Sequence, residues 1–188
     1  MFDRTDKEQK MTKQYLLTVR YFFPMMLLVL LLFFLWQGLQ RDPLQLPSPL
    51  LNKPMPTFTL ASVENSKKRL TANMFFGHVS LLVVWSSWCV NCLAEHAFLL
   101  NARKDSRLQI IGLNYRDRLL SARHWLSQYG NPYYKVIFDP KGLLGMNLGV
   151  SGVPESFLLD EKGIIRYKQI GPLNEFIWNT EIEPRLGG

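Results

Sequence analysis

Only two cysteines occur in the 188 residues, together with three histidines and no internal repeat or low-complexity tract. Cys89 and Cys92 are too few and too close together to staple a small secreted domain, which carries more cysteines at wider spacing. The fold must therefore stand on its core, and the pair is left free for chemistry. His78, His96 and His124 fall in no paired spacing, so a structural zinc site lacks the four ligands it needs and no metal is expected. No alanine precedes Ala61, and the small residues that a signal-peptide cleavage site requires are missing after the first apolar run. Charge is also absent from Tyr21 to Gln40.

Residues of apolar type make up 47% and charged residues 20%, the balance of a chain that folds around a core rather than a disordered one. The formal charge of +7 raises the question of a nucleic-acid partner. Residues 1–53 carry seven Lys/Arg against four Asp/Glu, and the other fifteen Lys/Arg are scattered over the remainder apart from Lys67-Lys68-Arg69. A nucleic-acid binder concentrates its basic residues on one face, so no nucleic-acid partner is expected.

Twenty helical residues rise about 30 Å, the thickness of a bilayer core, so 21–40 reads as a transmembrane helix. Pro24 lies near its start, where a helix tolerates proline, and Trp36 near its far end, where an interfacial ring sits. With no cleavage signal the segment is an uncleaved signal anchor. Arg4, Lys7, Lys10, Lys13 and Arg20 precede it, whereas only Arg41 and Lys53 closely follow. The positive-inside rule then makes 1–20 a cytoplasmic tail and exports the C-terminal remainder, to the periplasm in a Gram-negative bacterium. Prolines at 43, 47, 49, 54 and 56 make 41–56 a stiff spacer. A domain over 57–188 completes the expected organisation.

Within that domain, Phe58–Ala61 and Arg69–Leu70 read as short strands around a polar turn. Ser80–Trp85 and Leu108–Leu113 are short apolar runs of the kind that form strands buried on both faces. A helix is expected from Cys89 to about Arg103, and another over Asp117–Tyr129 with its acid in the first turn. Lys135–Phe138 follows as a strand and Leu143–Leu148 as a brief helix. Ser156–Asp160 and Ile164–Ile170 flank the hairpin signal Glu161-Lys162-Gly163. A last helix is expected from near Pro172. This order predicts an α/β sandwich with a mixed sheet.

A cysteine pair spaced as Cys89-Val90-Asn91-Cys92 fits haem attachment only if histidine follows, and Leu93 stands there. Strand, short connection and cysteine at a helix start instead form the redox site of a thioredoxin-like fold. Unpaired N–H groups at a helix N-terminus favour thiolate over thiol. Cys89 is therefore the expected nucleophile and the more exposed sulfur, with Cys92 a turn deeper as the resolving thiol. The redox-active disulfide Cys89–Cys92 is then the redox centre, and no cofactor is expected besides it.

The segments Val84-Trp85-Ser86-Ser87-Trp88-Cys89, Cys92-Leu93-Ala94-Glu95-His96, Gly112-Leu113-Asn114-Tyr115-Arg116-Asp117 and Gly130-Asn131-Pro132-Tyr133 recur in a known set of proteins. So do Leu148-Gly149-Val150, Val153-Pro154-Glu155-Ser156-Phe157-Leu158-Leu159-Asp160 and Gly163-Ile164-Ile165-Arg166-Tyr167. Taken in order behind a signal anchor, they make residues 54–184 resemble the DsbE/CcmG family, thioredoxin-like proteins of cytochrome c maturation. The resemblance implies a thiol:disulfide oxidoreductase of the bacterial inner membrane that reduces disulfides in apocytochrome c or in haem-lyase components. It implies a DsbD-type transmembrane reductase as electron donor and exchange through a mixed disulfide.

The resemblance also assigns residues. Pro154 matches the family's cis-proline, with Val153 offering backbone groups to an extended substrate segment. Glu95 matches an acid one turn beyond the second cysteine that can exchange protons with Cys92 if it is buried; the alternative is an exposed helix acid. Glu155 matches a second acid near the site, and Trp88 packs beside the cysteines while Trp85 belongs to the core. Thioredoxin's buried aspartate is replaced by Val83, which leaves Glu95 as its substitute. Val90-Asn91 departs from the proline common between the cysteines, and Pro172 from an acid common after the glycine. His96 reads as a capping or packing residue rather than a base. Asn114, Tyr115 and Asp117 end a strand near the cysteines and could border the groove. Competing functions are a general periplasmic oxidant or isomerase, a client as narrow as a multihaem nitrite reductase system, and a non-catalytic assembly scaffold.

Overall fold

The computed structural model describes residues 4–39 and 50–186, with side chains over 20–38 and 50–186; residues 1–3 of the expected tail, residue 40 of the expected span and 41–49 of the spacer lie outside the described residues. Two separate units result, one holding the N-terminal helix and the other the domain. Helix α1, Arg4–Leu39, contains an apolar stretch over Arg20–Gly38 that is long enough to cross a membrane and has every described side chain exposed. The helix begins well before the apolar run, so Pro24 lies inside it and not in the first turn as the sequence suggested. Lys, Gln, Met and Leu over 4–20 are good helix formers, and one proline inside a long helix removes a single backbone bond.

The domain is one seven-stranded mixed sheet in the order β2-β1-β5-β4-β3-β6-β7. Its strands are β1 Thr59–Ser62, β2 Arg69–Thr71, β3 Ser80–Trp85, β4 Gln109–Tyr115, β5 Lys135–Asp139, β6 Glu155–Leu159 and β7 Ile165–Ile170. Strands β3, β4 and β5 run parallel, and β1, β6 and β7 are antiparallel to their neighbours. The helices are α2 Val90–Ala102, α3 Leu119–Tyr129, α4 Leu143–Asn147 and α5 Glu175–Ile177, the last continued by further helical turns to Arg185. Strand β3 is buried at all six positions because both sheet faces are covered. Leu81, Val83 and Trp85 point to a core shared with Cys92, Leu99, Trp125 and Ile182. Leu82 and Val84 alternate to the other face, against Ile111, Phe157, Leu144 and Leu148. Each such side chain contributes about 1.5–3 kcal/mol by leaving water.

Several strand and helix ends shift by one or two residues, and three boundaries bear on how the site is held. The spacer joins the fold before residue 57: Asn52 and Met55 donate backbone N–H groups to Ile165 and Gly163 (2.8 Å each), and Pro54 bridges Ile164. Proline is compatible with this because the chain here forms an edge, where a missing N–H costs little. Helix α3 begins at Leu119 rather than Asp117, since Arg116 has φ +47° and Arg118 is extended. The last helix begins at Glu175, after Asn174, whose side chain accepts the Ile177 N–H at 2.9 Å. The residues between it and Pro172 are drawn instead towards α2.

Candidate active site at the start of helix α2

Cys89 lies four residues beyond the end of β3 and is the N-cap of α2, with extended backbone at φ −89° and ψ 109°. Its Sγ accepts the Cys92 N–H at 3.0 Å, one of the first-turn donors that a helix cannot satisfy internally. The two cysteines form a disulfide with S–S 2.05 Å and Cα–Cα 5.3 Å. Cys89 is 7% exposed and Cys92 2%, the expected order. Cys92, Glu95, His96 and Leu99 make up the buried face of α2, the i, i+3, i+4, i+7 stripe of an amphipathic helix. Val90 and Leu93, on the outer face, are exposed.

Glu95 is buried, at 2% exposure. Its Oε2 accepts the Leu173 N–H at 2.7 Å, while Oε1 has no partner. Burial among apolar neighbours pushes its pKa up to about 7, against the pull of the Leu173 N–H. Val83, on the same face of β3 as Trp85, is fully buried in the same core as the cysteines. The Tyr133 ring stacks on Trp85 with centroids 5.6 Å apart, and burial, then the nearby Glu95 carboxylate, raises the pKa of its phenol. Gly112 on β4 makes this stack possible: a Cβ there would lie 2.8 Å from Trp85 Nε1 and 3.0 Å from the Tyr133 ring.

His96 is buried and stands edge-on to Trp125. Its Nε2 lies 3.2 Å from the Tyr129 carbonyl and 3.1 Å from that of Gly130, so Nε2–H is the donor that caps the C-terminus of α3. Burial lowers its pKa, with the two carbonyls opposing that shift. His96 is thus a cap, as the sequence suggested, though for the neighbouring helix.

The loop before β6 forms the other side of the site. The Val153–Pro154 peptide is cis. A groove of about 200 Å³ runs between Asn91, Gly152, Val153, Pro154, Ile170 and Pro172, so one of the two residues between the cysteines lines the same groove as the cis-proline. Glu155 is fully buried. Its Oε1 accepts the N–H groups of Ser151 (2.8 Å) and Gly152 (3.1 Å) and the Ser151 hydroxyl, and its Oε2 pairs with Lys168 Nζ at 3.0 Å. Trp88 is 59% exposed, with Nε1 donating to the Arg116 carbonyl at 3.2 Å; Trp85 is fully buried.

Three buried carboxylates therefore pin the loops around the disulfide by accepting backbone N–H groups. Glu95 holds Leu173, Glu155 holds Ser151 and Gly152, and Asp117 holds Ser87. Sequence reasoning places Asp117 in a helix first turn and, with Asn114 and Tyr115, at a strand end near the cysteines; it assigns no role to Lys168 or Tyr133. An acid at the end of a strand beside the motif is the available signal for Asp117. Lys168, on β7, carries no sequence signal.

A cysteine pair at the N-terminus of the helix that succeeds a central strand, opposite a cis-proline, defines a thioredoxin-like thiol:disulfide oxidoreductase. The Redoxin family model matches residues 50–182. The thiol:disulfide interchange protein DsbE of Allochromatium vinosum is 39% identical over 165 residues, 88% of this chain and 91% of that protein. Its Escherichia coli namesake is 43% identical over 155 residues, covering 80% and 83%. A crystal structure of a putative DsbE from Chlorobium tepidum shares the fold with TM-score 0.60 at 24% identity, over 72% of this chain and 94% of that one. The chain belongs to the Redoxin family and, within it, to the DsbE thiol:disulfide interchange proteins.

Proposed function

We propose that the chain is a membrane-anchored periplasmic reductant that accepts disulfides from apocytochrome c, or from haem-lyase components, during c-type cytochrome biogenesis. The observation that carries this reading is the Cys89–Cys92 pair at the start of α2 with Glu95, its pKa near 7, buried one turn behind. The Cys89 thiolate attacks one sulfur of the client disulfide, and the client's other sulfur leaves and takes up a proton. Glu95 then accepts the Cys92 proton, and the Cys92 thiolate attacks Cys89 Sγ. The second client thiol is released, and the disulfide now resides on Cys89–Cys92. A DsbD-type transmembrane reductase returns the pair to dithiol by the same exchange in reverse.

Val153 and Pro154 line the groove beside the cysteines, Val153 supplies backbone groups to an extended client segment, Glu155 fixes their loop, and Trp88 offers an exposed ring beside Cys89. The segment 21–40, of which α1 describes the residues to Leu39, serves as a single-pass inner-membrane anchor, with the basic N-terminus cytoplasmic and the domain periplasmic. Tethering raises the effective concentration of the domain near membrane-bound partners. The disulfide is the only redox group this chemistry needs. Cys92→Ala leaves the mixed disulfide unresolved, so it is expected to trap client proteins covalently on Cys89. Recovery of cytochrome maturation components by non-reducing gel and mass spectrometry supports the reading. Intact cytochrome maturation in Cys89→Ala cells overturns it in favour of a scaffold.

A further inference from the structure

The connection from β3 to Cys89 passes through Ser86, Ser87 and Trp88, and each is fastened to the turn at the end of β4. Ser86 donates its hydroxyl to the Tyr115 carbonyl, and Trp88 Nε1 donates to that of Arg116 at 3.2 Å. Asp117 forms the centre of this attachment. Its Oδ2 accepts the Ser87 N–H at 2.7 Å and Asn114 Nδ2 at 2.9 Å, and its Oδ1 accepts the Ser87 hydroxyl at 2.9 Å and the Arg118 N–H at 2.7 Å. All four acceptor positions of the carboxylate are in use, and the residue is 9% exposed. Arg116 adopts φ +47° immediately before it, a left-handed backbone that is uncommon for a side chain of this size. From that turn the carboxylate reaches both Ser87 on the loop before α2 and the Arg118 N–H at the start of α3.

Resting on the thiol-exchange reading above, we propose that Asp117 is a positioning residue for the redox pair: it fixes the turn that presents Cys89 as N-cap of α2 and sets a buried negative charge behind it, which disfavours the Cys89 thiolate. Ser87 is two residues from Cys89, so the carboxylate lies within roughly 12 Å of the Cys89 Cα by chain dimensions alone. Every group bonded to it is neutral, and no ion pair to Asp117 occurs among the described residues. Stabilising a thiolate stabilises the reduced form and makes a pair more oxidising. Asp117 acts in the opposite sense and biases the pair towards giving up electrons. Neither asparagine orientation replaces it: with the amide nitrogen at Oδ2 it meets two donors, and at Oδ1 it meets the Arg118 N–H.

The test compares wild type, Asp117→Asn and Ser87→Ala as full-length chains in detergent. Cys89 is titrated by the pH dependence of alkylation, the thiol–disulfide equilibrium is measured against glutathione, and exchange with a model disulfide is timed. Asp117→Asn is expected to lower the Cys89 pKa and shift the equilibrium three- to tenfold towards the dithiol, about 15–30 mV less reducing. Ser87→Ala keeps the charge and loses one bond. It is expected to slow exchange two- to fivefold while the Cys89 pKa stays in place. A folded Asp117→Asn chain with unchanged Cys89 pKa and equilibrium overturns the proposal even if its melting temperature falls. Should that variant not fold, an unchanged exchange rate in Ser87→Ala overturns it. Loss of exchange in Cys89→Ala tests the underlying thiol chemistry separately.

Discussion

Replacing Glu95 by glutamine removes a titrating carboxyl from the interior and should abolish a pH dependence of stability. Burial raises the Glu95 pKa from 4.5 to about 7, so the folded chain holds this proton over a pH range where the unfolded chain has released it. Unfolding therefore releases a proton between about pH 4.5 and 7, and stability falls as pH rises through that window. At 1.36 kcal/mol per pH unit, the loss comes to about 3 kcal/mol once Glu95 is fully ionised. Glutamine keeps an acceptor for the Leu173 N–H, which Glu95 meets at 2.7 Å, and has no charge to desolvate. Wild type and Glu95→Gln should thus be closest at pH 4.5, with the variant gaining about 3 kcal/mol relative to wild type by pH 8. Urea unfolding of the oxidised full-length chains in detergent, monitored by tryptophan fluorescence at several pH values, measures the difference. Two stability profiles that run parallel from pH 4.5 to 8 would refute the buried, perturbed carboxylate.

Lys168→Met leaves the Glu155 carboxylate buried without its ammonium partner at 3.0 Å and should cost about 3–5 kcal/mol, with Glu155→Gln in the same chain restoring part of the loss in urea melts. Gly112→Ala drives a methyl group against Trp85 and Tyr133 and should cost about 1–3 kcal/mol, with a shift in tryptophan emission as the stack opens.

The parts of the fold that derive from chain periodicity are legible in the sequence. Ser80–Trp85 reads as a strand buried on both sides because all six residues point into one of two covered faces. Cys89 at a helix start, Cys92 beneath it and Trp85 in the core come from the same spacing. The sequence reads Asp117 both as a first-turn acid and as a strand-end residue near the cysteines, but its anchoring of Ser87 is hidden because a local rule, acids favour helix N-termini, competes here with a tertiary one. Its four donors come from Ser87, Asn114 and Arg118, and Ser87 is thirty residues away in sequence. The start of the last helix is displaced for a related reason. Pro172 has the look of a first-turn proline, but the Leu173 N–H bonds Glu95 on α2, and the cap falls to Asn174. Pairing of the spacer with residues 163–165 is equally hidden, since prolines at 54 and 56 suggest a linker and only the edge of the sheet makes them compatible with a fold.

The direction of electron flow is tested most directly by the redox state of Cys89 and Cys92 in growing cells. Acid quenching and then alkylation with a mass-tagged maleimide separate dithiol from disulfide on a gel. A reductant fed by a transmembrane dithiol donor should be found mostly as the dithiol, and should shift to the disulfide when that donor is removed. A pair that is disulfide-bonded at steady state with the donor present contradicts the account.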